Sequence, residues 1–101
     1  MYARLAKWEG ADADTLRRST EEMKARAGEG PPPGVPAKGF MMLIDPDSGR
    51  SMAVVLFETE EDMRQGDEAL NAMDPTGAGG GTVAGQRTSV EMYEVAIDVR
   101  L

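Results

Sequence analysis

Two apolar stretches joined by a short turn constrain the fold of this chain more than any other part. Residues 40–44 and 52–57 are nearly continuous runs of β-forming apolar residues, and residues 45–49 between them read Asp-Pro-Asp-Ser-Gly, a turn composition. Gly49 can take the left-handed conformation that closes such a hairpin. An antiparallel strand with one face in water alternates apolar and polar residues, and these two strands do not. Both faces of the hairpin must therefore be covered.

Length and composition limit the classes of protein that this chain can belong to. Its 101 residues, 41% of them hydrophobic, predict a single domain spanning 1–101 with one core. The net charge of −7 argues against nucleic acid and anionic membrane surfaces as partners, because both are bound through Lys and Arg. We find no spanning segment or signal peptide and expect a cytoplasmic protein.

The absence of both histidine and cysteine excludes several kinds of chemistry. Ser-His-Asp and Cys-His catalysis, His-ligated haem and zinc, disulfides and iron–sulfur clusters all need one of these residues. The turn at residues 45–49 begins like a calcium loop, but its glycine is misplaced and a strand follows. We therefore predict no metal site and no cofactor.

The first part of the chain predicts a strand followed by a helix. Residues 2–8 alternate with the period of a strand, and Asp12 or Asp14 can cap the helix after it. Residues at helical spacing form a narrow buried stripe: Leu16, Thr20, Met23 and Ala27. Gly28 is placed to end the helix. The Pro/Gly-rich residues 29–37 are interpreted as a rigid connector, with the PxxP spacing of residues 33–36 as the alternative, a ligand for SH3-like domains.

The second half repeats this order after the hairpin. Thr59 and the three acids after it predict the start of a second helix, which Asp74-Pro75 ends. Its buried stripe is Met63, Asp67, Leu70 and Met73, with Gly66 alongside, where close approach of a strand or ligand offsets the cost of glycine in a helix. Residues 76–86 are glycine-rich and lack the lysine of a phosphate-binding loop. We interpret them as a connector, with a lid as the alternative, and residues 88–101 as a long final strand.

The predicted order βαββαβ is that of an α+β, ferredoxin-like fold, with a four-stranded antiparallel sheet and two helices on one face. Two helices leave the other face of the sheet bare, and the strands of the hairpin are apolar on both faces. A homodimer that pairs the open sheet faces would cover it.

Over nearly its whole length the chain also resembles the dimeric α+β barrel proteins, especially the antibiotic-biosynthesis-monooxygenase-like group. The resemblance is carried by the opening residues 2–5, the Lys-Gly-Phe entry at 38–40, the hairpin at 45–50 and the passage at 57–59 into the second helix. It implies a homodimer whose final strand reaches towards its partner, with a pocket between each sheet and its helices. Members include cofactor-independent oxygenases of polycyclic phenols, isomerases, and haem-degrading enzymes that use an axial histidine, which this chain lacks. The oxygenases use Asn, Trp and Tyr side chains around the substrate, and the chain has Trp8, Tyr93 and one asparagine, Asn71.

Four residues are candidates for contact with a small apolar or aromatic ligand: Arg4, Trp8, Arg87 and Tyr93. In a cofactor-independent oxygenase or isomerase of phenolic substrates, Arg4 or Arg87 would hold an anion, Tyr93 would donate a proton to a developing oxyanion and Trp8 would stack on the ring. Each also has a structural interpretation, and Arg4 in particular can pair with a carboxylate on a neighbouring strand such as Glu94. The alternative function is a non-catalytic module that binds a ligand or another protein. The sequence leaves open whether the protein is an enzyme.

Overall fold

The fold consists of one four-stranded antiparallel sheet with two helices, and a computed structural model describes residues 1–73 and 84–101 of it. In chain order the elements are β1 (Tyr2–Glu9), α1 (Ala13–Arg26), a 3-10 turn (Ala27–Glu29), β2 (Gly39–Asp45), β3 (Arg50–Phe57), α2 (Glu60–Met73) and β4 (Gln86–Glu94). The strand order is β2-β3-β1-β4, and every neighbouring pair is antiparallel. The predicted α+β, ferredoxin-like fold is confirmed.

The hairpin forms as its sequence predicts. Asp45 pairs with Arg50 at the end of the β2–β3 ladder, so residues 46–49 are the turn. The Gly49 amide donates to the Pro46 carbonyl over 3.3 Å, and Gly49 has the positive φ of 72° that the turn requires. In the salt bridge across the turn, Arg50 Nη2 lies 3.0 Å from Asp45 Oδ2.

Both helices begin at the side-chain caps that their sequences contain. Asp12 Oδ1 accepts from the Thr15 amide over 2.9 Å, which selects Asp12 over Asp14 as the cap of α1. Thr59 Oγ1 accepts from the Asp62 amide over 3.1 Å at the start of α2. The predicted cap at Gly28 is wrong: α1 ends at Arg26 and tightens into the 3-10 turn, and the glycine with positive φ is Gly30 at 88°.

The core lies between the helices and one face of the sheet, in two clusters of buried side chains. One contains Ala6, Trp8 and Ala53, with Met23 of α1 packed against it. The other joins β3 to α2 and to the Pro/Gly-rich connector through Val35, Val55, Phe57 and Met63. The connector therefore contributes Val35 to the core instead of only linking α1 to β2.

The other face of the sheet, which we call the open face, is not covered by either helix of residues 1–73 and 84–101. Strand alternation and the pairing of β1, β2 and β3 place seven apolar side chains there: Ala3, Leu5, Met41, Leu43, Met52, Val54 and Leu56. Met41 and Leu43 are 47% and 45% exposed. The bare apolar face expected from the sequence is thus present in the single chain.

Strand β4 differs from the prediction at both ends. It begins at Gln86, two residues before the predicted start, and ends at Glu94 instead of continuing to Leu101. The Val95 amide donates to the Met1 carbonyl over 2.9 Å. Beyond that bond the chain has passed the end of β1 and pairs with no other described strand, and Ile97 and Val99 are 82% and 66% exposed.

Part of the predicted connection between α2 and β4 lies outside the described residues. This applies to the helix stop at Asp74-Pro75 and to most of the glycine-rich segment at 76–86, with its alternative role as a lid. Across residues 1–73 and 84–101, neither helix has the length and apolarity needed to cross a membrane.

Candidate functional site

A cavity of about 620 Å³ opens between the helix-covered face of the sheet and the segment that leads from α1 into β2. Its apolar wall combines aromatic, methionine and aliphatic side chains: Trp8, Met23, Val35, Phe40, Val55 and Leu70. Small residues of the connector and Ala53 of β3 leave the space open. The volume and the apolar wall suit a small aromatic molecule.

Two arginines of the sheet line this cavity, and two polar side chains of α2 hold them in place. Arg4 of β1 is 3% exposed, and its Nε lies 2.8 Å from Asp67 Oδ1 of α2. The Nη2 of Arg4 donates to Asn71 Oδ1 over 3.1 Å, and the Nη1 of Arg87 donates to the same oxygen over 2.8 Å. Both arginines line the cavity. We refer to Arg4, Asp67, Asn71 and Arg87 as the arginine cluster.

The arginine cluster has an excess of positive charge. Only an oxygen can accept from two guanidinium groups, so the hydrogen bonds fix the orientation of the Asn71 amide. The amide carries no charge, which leaves Asp67 as the single carboxylate for two guanidiniums among the described residues. Arg4 is buried and Arg87 is half-buried, so water hydrates their surplus charge only in part and an approaching counter-charge stabilises it. The cluster is therefore suited to an anionic group on a bound molecule.

An irregularity in the β1–β4 ladder brings Arg87 into the site. Lys7 pairs with Ser89, but Trp8 pairs with Arg87, so the register shifts by one residue between Lys7 and Trp8. Without the shift Trp8 would pair with Thr88, and Arg87 would point to the open face with Ser89. A bulge of this kind re-aims a side chain. Here it places the guanidinium of Arg87 on the cavity side, next to Trp8.

Trp8 forms part of both the core and the cavity wall. It is 7% exposed and packs in the cluster with Ala6 and Ala53. Within the described part of the chain its Nε1 is buried and makes no hydrogen bond, so packing alone holds the indole. This agrees with both interpretations made from the sequence, a residue that closes the core and one that stacks on a ligand.

Tyr93 lies on the open face, away from the other three candidates. It pairs with Ala3, whose neighbour Arg4 points to the cavity. Its hydroxyl donates to Glu91 Oε2, and Lys7 Nζ lies 2.9 Å from Glu91 Oε1. The expected placement of Tyr93 beside Trp8 is therefore wrong. Arg4, Trp8 and Arg87 do meet at one cavity, and their contact with a ligand stays a prediction.

The polar groups of the open face shift one another's pKa. Hydrogen bonds from Tyr93 and Lys7, together with the charge of Lys7, lower the pKa of Glu91. The hydrogen bond to Glu91 and its negative charge raise the pKa of Tyr93 and of Lys7. At neutral pH the group holds one anion, one cation and one neutral phenol, so Tyr93 remains a donor there.

Sequence reasoning missed Asp67 and Asn71 as members of the site. It placed Asp67 in the buried stripe of α2 and paired Arg4 with a strand carboxylate such as Glu94, whereas Arg4 pairs across the layers with Asp67. The signal was present, because two polar residues four apart on one helix share a face. A buried stripe with such a pair needs a polar partner on the strand below it, and Arg4 is the arginine of β1.

The comparisons with known proteins find the same fold at low sequence identity. No family model matches the chain, and no curated protein matches it. A heme-degrader, MhuD from Mycobacterium tuberculosis, solved with two hemes bound in its active site, superposes with a TM-score of 0.66 and 17% identity over 99% of this chain and 100% of that one. A mutant of MhuD with two manganese protoporphyrins per active site gives 0.62 and 17% over 99% of each chain.

A third solved structure extends the comparison to a second kind of protein. A protein of Deinococcus radiodurans described as an antibiotic biosynthesis monooxygenase superposes with a TM-score of 0.54 and 12% identity, over 100% of this chain and 98% of that one. This chain has the antibiotic-biosynthesis-monooxygenase-like fold. The resemblance stated from the sequence is confirmed at that level.

Within the monooxygenase-like fold, this cavity does not suit a haem held by imidazole. Haem iron in proteins is bound by His, Cys, Met or Tyr, and the chain has neither His nor Cys. The sulfur donors in the cavity wall are the thioethers of Met23 and Met73. Among the described residues no group of three Asp or Glu side chains is placed to hold a metal ion. The cavity instead offers guanidinium groups, which donate hydrogen bonds and bind organic anions.

Proposed function

We propose that this protein binds a small phenol or enol in the cavity as its anion and acts on it as a cofactor-independent oxygenase. The observation that carries the proposal is the arginine cluster, in which Asn71 Oδ1 accepts from Arg4 and Arg87 while one carboxylate balances them. The aromatic and methionine wall around it would hold the ring. The shared fold with a protein described as a monooxygenase supports this activity.

This oxygenation needs little acid or base catalysis from protein side chains. Two guanidiniums lower the pKa of a bound phenol or enol by stabilising its anion. That anion is electron-rich and reacts with O₂ directly. For a ring CH₂ group such as that of anthrone, two C–H bonds break, one oxygen atom forms C=O and the other leaves as water. Oxygen takes up all four electrons, so no external reductant is needed.

Binding as an anion is tested by calorimetric titration of the protein with 2-naphthol and with 2-methoxynaphthalene, which cannot ionise. We expect the naphthol to bind at least about tenfold more tightly, as a hydrogen bond to a charged group allows. Arg87→Gln should remove most of that preference. Arg87 is the better target than Arg4, since loss of Arg4 would leave the carboxylate of Asp67 unpaired.

Arg64→Gln is the matched control, because Arg64 is exposed on α2 and loses the same charge outside the cavity. Equal affinity for the two naphthalenes, or an equal loss in both variants, would contradict binding of the anion. Turnover is tested separately, by oxygen uptake with anthrone and recovery of anthraquinone.

A non-catalytic ligand-binding module is the second candidate. It is favoured by the composition of the arginine cluster, where Arg4 already holds the one carboxylate, Asp67, leaving no free base among its described members. The two candidates separate cleanly. A naphthol that binds through Arg87, together with anthrone that consumes no oxygen above the Arg87→Gln variant, would support binding alone.

The same proposal includes a homodimer formed through the open face. Seven apolar side chains of β1, β2 and β3 share that face, and neither of the two described helices covers them. The exposed tail beyond Glu94, with Ile97 and Val99, is a second apolar segment that a partner chain would cover. A cytoplasmic location stays a prediction from the sequence.

A further inference from the structure

The net charge of the residues that line the cavity has the opposite sign to the net charge of the whole chain. The protein has 18 Asp and Glu against 11 Lys and Arg, a net charge of −7. Among the described residues that line the cavity, four are basic and one is acidic: Arg4, Arg26, Lys38, Arg87 and Glu29. A basic cavity in an acidic protein concentrates anions from solution and repels cations.

These four cations lie at two different depths. Arg4 is 3% exposed and Arg87 is half-buried, and both join the arginine cluster on β1, β4 and α2. Arg26, at the end of α1, and Lys38, just before β2, are exposed. The cavity therefore has a buried positive end and a solvent-facing rim, where Arg26 and Lys38 outnumber the one acid, Glu29.

The rim charges also have an ordinary structural interpretation, which is incomplete. A basic residue in the last turn of α1 stabilises the helix dipole, and Lys24 and Arg26 both lie there. Only Arg26 lines the cavity. Lys38 lies 3.8 Å from Glu58 in an exposed pair, which is a weak constraint on either side chain. Both rim cations are thus able to meet a ligand.

We propose that the natural ligand carries two acidic groups at opposite ends of an aromatic body. The phenol or enol lies at the arginine cluster, and a carboxylate lies at the rim against Arg26 and Lys38. This rests on the proposed function for the first group and adds the second. A monoanion would meet only the buried end and would leave Arg26 and Lys38 without contact to the ligand.

The test compares 2-naphthol with 6-hydroxy-2-naphthoate, which adds a carboxylate at the far end of the same ring system. We expect the acid to bind the wild-type protein about fivefold more tightly at low salt, as expected for a partly exposed ion pair. That gain should fall as salt rises to about 0.5 M, since screening shortens the range of the rim charges.

Variants locate the second group. The double variant Arg26→Gln with Lys38→Gln should bind the two compounds equally. Lys24→Gln with Arg18→Gln is the control, because it removes the same charge from exposed positions of α1 outside the cavity. It should keep the preference for the acid to within about twofold, as expected for screened surface charges.

The outcomes separate the two proposals. If the acid binds no more tightly than the naphthol, or if both double variants lose the preference equally, the carboxylate at the rim is overturned. Dependence of naphthol binding on Arg87 would survive that result. If none of these naphthalenes binds the wild-type protein, the rim carboxylate and the proposed function both fail.

Discussion

A hydrogen atom is the largest side chain that helix α2 accommodates at residue 66. A Cβ built on Gly66 would overlap the ring of Phe57, a fully buried residue of β3. Glycine lets the helix approach the strand closely enough to hold this ring between them. The close approach expected from the sequence is therefore to a strand and not to a ligand.

Gly66→Ala should destabilise the protein, although alanine is the better helix former by about 1 kcal/mol. The overlap with the Phe57 ring must be relieved by moving the helix or the ring, which typically costs about 1–3 kcal/mol and outweighs that gain. Urea unfolding measures the difference. Gly28→Ala is the control, since a Cβ at Gly28 meets nothing within 4 Å. An unchanged or raised midpoint for Gly66→Ala would contradict the packing described.

At the residue scale the sequence identified part of the site for physical reasons. Arg4 and Trp8 are an even number of residues apart on β1, so a regular strand places both on the same face. Tyr93 and Arg87 are also an even number of residues apart on β4, and regular alternation would place both on the same face. The register shift places them on opposite faces, and the residue types around Thr88 do not predict such a shift. The family resemblance drew attention to Asn71 by residue type alone, because its hydrogen bonds depend on two arginines from other elements.

At the scale of elements, prediction succeeded where local chemistry decides the outcome. The hairpin turn and the two helix starts are set by neighbouring residues, through Gly49 and the caps at Asp12 and Thr59. The end of β4 depends instead on where β1 begins, which is far away in sequence. The apolar alternation continues to Leu101, but none of the four described strands lies beside it.

The cap of α1 makes a pH-dependent prediction. The amide and the hydroxyl of Thr15 both donate to the Asp12 carboxylate, and these bonds lower its pKa below the usual 3.8. A lowered folded-state pKa means that the cap stabilises the protein above about pH 4 and loses this effect as the pH falls through the folded-state value.

Asp12→Ala should therefore lower the melting temperature by a few degrees at pH 7, through the loss of a helix cap. The difference from wild type should shrink as the pH falls through the lowered pKa of the folded state, because the protonated carboxyl no longer acts as the cap. Asp14→Ala is the control because Asp14 lies in the first turn without acting as the cap. Equal losses for the two variants at pH 7 would contradict the assignment of the cap.

At the scale of the whole molecule, the open face predicts self-association. We expect light scattering to report a dimer at micromolar concentration. Val54→Lys places a charge in the middle of the apolar face, on a strand flanked by β1 and β2, and should give a monomer. Gln65→Lys adds the same charge to an exposed position of α2 and should leave the dimer intact. A wild-type monomer would contradict the proposed assembly.

The register shift beside Trp8 has a consequence for how such a molecule diversifies. In a regular strand the side chains alternate between the two faces. An inserted or deleted residue therefore moves every later side chain of that strand to the opposite face. The bulge divides strand β4 into two segments with different registers against β1. Arg87 lies in the first segment, and Glu91 and Tyr93 lie in the second. A change in chain length ahead of the bulge would turn Arg87 away from the cavity and leave Glu91 and Tyr93 on the open face. The bulge therefore lets the charge of the cavity change without a change in the open face.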